Sequence, residues 1–441
     1  MLDYFLYKTR KTAFSIADVL KGSLVKSAYE EIRKIDNMDS TDNYVEEYHR
    51  KSFMRLAKHA IESTEYYRNS SSSKLGDFPV INKNIIRDNQ NMFLSKKYDR
   101  DKLIKMSTSG STGTPFICYQ DIAKKRRVNA EVIYYSKKAG YSVGKNLIFM
   151  RAITEKSYKS KFHQWIQNET LIDISNLDDK RIEAIIDEIK DASKNGSMIL
   201  AYASTYDALR DYFINNGCEM AKKANISGIV SSSEMLFDDT RDSMRKAFNC
   251  PVYSRYSNQE NGIIGQDNEI NNAFIINEAS YIVEVFNIDK DEPCCEGEAG
   301  RIVVTDLFNY AMPMIRYDTG DIGSITSIIN NGKLKKAINN FGGRKVDVVY
   351  DSFGNRLSPH SITNNFWSFP EIKQYQFIQE SKTKYTVKIN VDENFDKEKE
   401  LNTMLLDIVG HEANMTIQRV KEIPVMASGK RKYIINQMNL K

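Results

Sequence analysis

Between residues 130 and 250, short apolar runs alternate with stretches of helical periodicity, and this restricts the fold more than any other feature of the chain. The runs at 147–150, 198–201 and 226–230 are largely aliphatic, as strands covered on both faces must be. Helical patterns fill 180–192, 204–215 and 238–248. A strand that returns parallel to its predecessor needs a crossover, so the order predicts α/β layers around mostly parallel strands.

The flanks differ in character. Residues 281–286 and 301–305 bracket a polar turn containing glycine, which predicts a β-rich subdomain. Beyond Gly342 and Gly343, strands are expected at 375–379, 385–391 and around 415–420, with a helix at 396–409. These make a small α+β domain hinged at the double glycine. Near the N-terminus, Ile16, Val19, Leu20, Leu24 and Ile32 predict one amphipathic helix over 16–32, laid on the main domain in preference to a membrane surface. Phe53, Leu56, Ala57 and Ile61 predict a second, ending near Tyr66 and Tyr67, before a serine linker at 70–73.

Charge and cysteine usage exclude several classes. The 63 basic and 58 acidic residues are interspersed and leave a net charge of +5, so nucleic acid is not an expected partner. No stretch of 18 consecutive apolar residues predicts a spanning helix, and the N-terminus lacks the apolar core of a signal peptide. Cys118, Cys218, Cys250, Cys294 and Cys295 show no metal or redox spacing and read as reduced thiols, so a cytoplasmic location is expected. His49, His59, His163, His360 and His411 are scattered, and no metal held by nitrogen or sulfur is expected.

The densest chemistry lies in Ser107, Thr108, Ser109, Gly110, Ser111, Thr112, Gly113 and Thr114, closed by Pro115. Glycines let the backbone approach a ligand, successive N–H groups form an anion nest, and the hydroxyls add donors. Nothing acidic interrupts the run, which therefore suits a polyphosphate. It is not a Walker loop, because the glycine spacing is short and no lysine follows Gly113. Taken alone, such a run is more often a surface loop than a nucleotide site. The strand expected at 103–106, the loop, and then Lys124, Lys125, Arg126 and Arg127 would bring positive charge near the anion, unless those cations form a solvated helix face.

Later segments supply partners. Ser231, Ser232, Ser233 and Glu234 are expected to follow a strand and open a helix, where free N–H groups favour an anion or a polar ring edge. Tyr256 precedes Glu260 by four residues, so an aromatic ring could stack on a base while a carboxylate holds Mg²⁺. Asp321 is of the type that accepts both ribose hydroxyls, and Arg344 could contact ribose or phosphate. Lys430 follows Ser428-Gly429 in a turn able to reach another domain. Each has a plain structural alternative: a packed tyrosine, a solvated carboxylate, a turn aspartate, an ordinary surface lysine.

In this order the segments resemble the adenylate-forming enzymes, specifically the phenylacetate–CoA ligase branch and its relatives in capsular-polysaccharide gene clusters. The match runs from about residue 45 to the end. It takes in the loop, the SSSEML turn, YSNQE, MIRYDTGD, GGRKVDVV with GNRLSP, and PVMASGKRK. The resemblance implies a large adenylation domain over 45–342 and a small mobile domain over 343–441, and leaves a helical extension over 1–44 without a family counterpart.

It also implies an AMP-forming ligase in which ATP and a carboxylic acid give an acyl-adenylate, and CoA or an amine then takes the acyl group. The loop would cradle phosphates and Glu260 would hold Mg²⁺. Tyr256, with Ser257 beside it, would contact adenine, Asp321 and Arg344 would fix the ribose, and Lys430 would bridge carboxylate and α-phosphate. Ser257 and Gln259 depart from the family pattern, and Val346 replaces an acidic residue at the usual hinge. Tyr202, Asn258 and Ile263 are candidates for the acyl pocket, and the polar set 257–259 suggests a small or polar acid. A homodimer is the family-based expectation. A nucleotide-binding protein that has lost catalysis, or a nucleotidyltransferase acting on a sugar phosphate, are the competing classes; the retained Lys430 and Glu260 argue against them.

Overall fold

The structure, a computed structural model, describes every residue except 1, 71–73, 109–115, 154–158, 270–271, 289, 343–348, 358–360, 363–364, 370, 424–432 and 439–441. The first part holds α1 (Leu2–Leu20), α2 (Leu24–Asp36), α3 (Asn43–Ser63), the short α4 (Lys83–Asp88) and α5 (Gln90–Phe93), then a hairpin of β1 (Ile104–Thr108) and β2 (Phe116–Gln120), and α6 (Ile122–Lys138). The helix expected over 16–32 is two helices. Gly22 and Ser23 take positive φ of 85° and 55°, and the Asp18 carboxylate, in the last turn of α1, accepts from the N–H groups of Val25 and Lys26 and so caps α2.

The alternating middle follows the expected pattern: β3 (Asn146–Arg151), α7 (Lys161–Gln167), β4 (Glu169–Asp173), α8 (Asp179–Ala192), β5 (Ser197–Tyr202), α9 (Ala203–Asn216), β6 (Ile226–Ser232), α10 (Asp238–Phe248) and β7 (Val252–Asn258). The strands β4, β3, β5, β6 and β7 lie side by side and all pair in parallel. Ile182, Ile185, Ile186 and Ile189 of α8 and Tyr206 and Leu209 of α9 form one buried cluster with Ile148, Ile199 and Ile229 of the strands. Gly228 is required on β6, because a Cβ there would lie 2.3 Å from the Ala139 carbonyl oxygen.

The β-rich region is not set apart. Beyond β7 come β8 (Gly262–Gln266), β9 (Phe274–Ile276), β10 (Tyr281–Phe286), β11 (Gly300–Asp306), β12 (Tyr317–Asn330) and β13 (Lys333–Gly342). They extend the same sheet with antiparallel pairing, giving eleven strands in the order β10-β11-β12-β13-β9-β8-β7-β6-β5-β3-β4. Helix α6 crosses behind the antiparallel part. Its inward face is polar at the start (Lys124, Arg127, Glu131) and aromatic at the end (Tyr134, Tyr135). Helix α2 packs on that aromatic end, and Val25, Ile32 and Ile35 share a core with Tyr134, Tyr135 and Ile263.

The last part has β14 (Val349–Tyr350), β15 (Arg356–Leu357), β16 (Gln374–Gln379), β17 (Lys384–Asn390), a helix at Glu398–Val409, β18 (Asn414–Arg419) and β19 (Ile434–Asn436). A four-stranded sheet runs β18-β17-β16-β19, and the expected strands and helix all fall within it. The unpredicted β19 pairs in parallel with β16, Phe377 opposite Ile434. Among the described residues, its apolar core, from Val349 to Ile434, draws on none before Val349. Among the described residues, no helix is long and apolar enough to cross a membrane.

Candidate active site

The carboxyl ends of parallel strands are where α/β sheets bind ligands, because loops and helix N-termini converge there. Here Tyr202 ends β5 opposite Ser232 of β6, and Ser232 stands opposite Arg255 of β7. The segment 231–234 does not open a helix as expected: α10 begins at Asp238, with Phe237 as its N-cap. Ser233 instead takes a left-handed φ of 70°. Glu234 accepts a 2.8 Å hydrogen bond from the Ser204 N–H, in the first turn of α9. It thereby satisfies an N-terminal donor and sits where a helix favours negative charge.

Glu260 follows β7 in the turn to β8 and is 99% buried. Lys83 Nζ lies 2.8 Å from its Oε1, and the Tyr317 hydroxyl donates to the same oxygen at 2.9 Å. Burial pushes the carboxyl up, but the Lys83 charge and the hydrogen bonds from Lys83 and Tyr317 outweigh it and hold the group below its ordinary value. The second oxygen, Oε2, is buried and has no hydrogen-bond partner. A buried carboxylate oxygen left bare is costly unless a donor or cation completes it.

The turn itself is tightly fixed. Asn258 Oδ1 accepts from the Asn261 N–H at 2.7 Å, the Tyr281 hydroxyl donates to the Asn261 carbonyl at 2.6 Å, and Gln120 Nε2 donates to the Glu260 carbonyl at 3.1 Å. Thus Asn258, expected to line a pocket, commits its side-chain oxygen to the turn. Ile263, the candidate on β8, is 2% exposed and packs in the core under α2. Its N–H donates to Glu131 Oε2 at 3.0 Å. Ser257 and Tyr202 are half-buried at the strand ends, and Gln259 is exposed.

Gln120 and Phe116 link the turn to the serine- and glycine-rich run. The glycines and the residues from Ser109 to Pro115 lie outside the described residues, but the strands on either side pair as a hairpin with Thr108 opposite Phe116. Ser107 is exposed on β1. The Phe116 ring stacks on that of Tyr317, with centroids 6.4 Å apart and planes 15° from parallel. The root of the hairpin therefore abuts the tyrosine that holds Glu260.

The expected cation cluster divides. Lys124 is fully buried against Asp306 at 2.7 Å, and Arg127 pairs with Glu31 at 2.7 Å and Ser280 at 2.9 Å. Their charges are spent inside the fold and are not offered to an anion; Lys125 and Arg126 remain half-buried.

The Tyr256 hydroxyl donates to Asp321 Oδ2 at 2.9 Å and lies 3.1 Å from Thr319 Oγ1. Its ring packs against Phe341, centroids 4.6 Å apart, and Phe274, at 5.9 Å. At 6% exposure its ring is largely covered, and its hydroxyl orients Asp321. Asp321 is half-buried on β12, directly after Gly320 at φ 74°. Arg344 and Lys430 lie outside the described residues.

Lys83, Phe116, Gln120, Thr319 and Phe341 were not singled out from sequence. Tyr317 stood inside the MIRYDTGD stretch and could have been, since its neighbours were. Lys83 begins a six-residue helix capped by Asn82, and nothing in its local pattern distinguishes it from other surface lysines.

Comparison with known structures places this architecture. A 2-hydroxyisobutyryl-CoA ligase, solved with 2-HIB-AMP and CoA in the thioesterification state, superposes with a TM-score of 0.60 at 15% identity, over 91% of this chain and 92% of that one. The same ligase in the postadenylation state gives 0.55 at 14% identity, over 89% of each chain. The fold is that of the adenylate-forming ligases. Residues 349–437 match the family described as the CapK C-terminal domain. Along nearly its whole length the chain is similar to Protein CapK of Staphylococcus aureus, 23% identical over 445 residues, covering 95% of this chain and 94% of that protein.

Proposed function

We propose that this chain is an ATP-dependent, AMP-forming ligase that activates a carboxylic acid as an acyl-adenylate and passes the acyl group to CoA. The observation that carries the reading is Glu260: a buried carboxylate, held ionised by Lys83 and Tyr317, with one bare oxygen at the root of a serine- and glycine-rich hairpin loop. Such an oxygen suits a hard divalent cation, so Glu260 is the residue that would hold Mg²⁺. When bound, the ion would offset phosphate charge as pyrophosphate departs.

The remaining roles follow from placement. The run 107–114 would cradle the β- and γ-phosphates through its N–H groups. Asp321, aimed by Tyr256, would accept the ribose hydroxyls, with Arg344 beside them. Ser232 and Ser233, at the end of β6, would border the nucleotide, and Tyr202 and Ser257 would border the acyl group. Lys430, carried between β18 and β19, would neutralise charge between carboxylate and α-phosphate during attack. The small domain 343–441 would deliver this lysine for the first half-reaction and withdraw it for the second. Similarity to a ligase solved with CoA supports CoA as acceptor, and similarity to CapK supports a role in capsular polysaccharide biosynthesis.

The test is acid-dependent ATP–pyrophosphate exchange with a panel of carboxylic acids, followed by mass spectrometry of products formed with CoA or with an amine panel. Exchange with small or polar acids and an acyl-CoA product are expected. An amide product would reassign the acceptor; absence of exchange with every acid would overturn the ligase reading. Lys430→Ala should lower exchange by about 10²-fold or more, the loss seen when one charge-stabilising donor is removed.

A further inference from the structure

Helix α1 is amphipathic, but it is laid the wrong way round for a helix whose oily side seeks a core. Phe5, Thr9, Thr12, Ala13, Ile16, Val19 and Leu20 follow one another at helical spacing and form one face. All are exposed, Leu20 at 82% and Val19 at 61%. The side turned to the protein is anchored by polar contacts. There Asp18 caps α2, Tyr7 meets the Ser142 hydroxyl, and Arg10 donates to the Trp165 carbonyl at 2.8 Å. That last contact brings α7 alongside, and Phe162, Trp165 and Ile166 are exposed there too. Among the described residues, nearly half of the large exposed hydrophobics come from 4–24 and 162–166.

Cations rim this patch: Lys8 and Lys11 on α1, Lys21 just beyond it, and Lys161 on α7, all exposed. Asp18 is turned inward and offers them no compensation. We propose that α1 and α7 form a docking face for the surface of an anionic bilayer, lying in the interface without crossing it. Aromatic and aliphatic side chains entering the headgroup boundary inside a ring of lysines is the pattern such a surface recognises. A second copy of the chain would bring the same positive rim against itself, and like charges there would oppose pairing.

The test is co-sedimentation of the full chain with phosphatidylcholine vesicles, with and without phosphatidylglycerol, at low and high salt. Binding to the anionic vesicles, weakened by salt, is expected. The triple variant Ile16→Glu, Val19→Glu, Leu20→Glu should lose at least ~10-fold in partitioning, and Lys8→Glu, Lys11→Glu should lose the preference for anionic lipid. These positions are exposed, so far-UV circular dichroism should match wild type. Failure to sediment with either vesicle would overturn the proposal. So would a dimer in sedimentation velocity that the triple variant converts to monomer, which would make a second copy the occupant.

Discussion

Lys83 Nζ and Glu260 Oε1 form a 2.8 Å ion pair whose two side chains are only 15% and 2% exposed, although they lie 177 residues apart on a short helix and a strand-to-strand turn. Removing one member of such a pair leaves the other charged and desolvated. Lys83→Met should therefore cost about 3–5 kcal/mol in urea unfolding. Glu260→Gln should cost far less, because Lys83 can still reach water, yet exchange activity should fall by about 10²-fold or more. Equal stability losses in both variants would contradict the asymmetry.

Tyr256→Phe removes the hydroxyl that aims Asp321 while keeping the ring against Phe341 and Phe274. A hydrogen bond to a charged group is worth about 1.5–3 kcal/mol, so KM for ATP should rise roughly tenfold or more. The thermal midpoint should move little. A fall in kcat with KM unchanged would point to a role for Tyr256 beyond positioning.

Gly262 sits at φ 122°, and a Cβ there would lie 2.5 Å from Glu131 Oε2 and 2.8 Å from the Tyr281 hydroxyl. Gly262→Ala should destabilise by about 2–4 kcal/mol through backbone strain and overpacking, and should disturb the turn that carries Glu260. Gly297→Ala is the control, at φ 83° with open space around it. It should cost about 1 kcal/mol, from backbone strain alone.

Asp36 joins α2 to α6 through Lys138 at 2.8 Å and the Tyr134 hydroxyl at 2.6 Å. Burial pushes its carboxyl up, but Lys138 and Tyr134 outweigh that, so the folded value lies below the ordinary 3.8. A lowered folded value stabilises above the unfolded one, and the contribution disappears as pH falls through the folded value. Asp36→Asn should therefore be destabilised relative to wild type at pH 7, and the difference should shrink below pH ~4. Chemical denaturation across that range measures it; a constant difference at all pH values would deny the linkage.

Much of this architecture was legible because strands and helices of the middle region carry unmixed signals. Aliphatic runs such as 226–230 are buried on both faces, and α8 shows isoleucines at helical spacing. The N-terminal break at Gly22-Ser23 was missed because apolar spacing continues across it, while the deciding event is a side chain, Asp18, folding back to cap the next helix. The site was legible in part. Glu260 and Asp321 stand in motifs, but what holds them, Lys83 and Tyr256, acts through contacts made only when remote strands align. Charge pattern misled at Lys124 and Arg127, since sequence shows that a cation is present and not that Asp306 and Glu31 consume it.

The C-terminal region meets the α8–α9 layer through β15. Arg356 there pairs with Asp211 of α9 at 2.7 Å, its carbonyl accepts from the Leu177 N–H at 2.8 Å, and Leu357 bridges to Asn176. These described contacts across the seam are hydrophilic, while the described apolar core of the C-terminal region keeps to its own residues. Parting such a seam wets groups that water satisfies, so it carries no large hydrophobic toll and should respond to ionic strength. If the proposed swing of the small domain parts this seam, ionic strength should shift how often it does so.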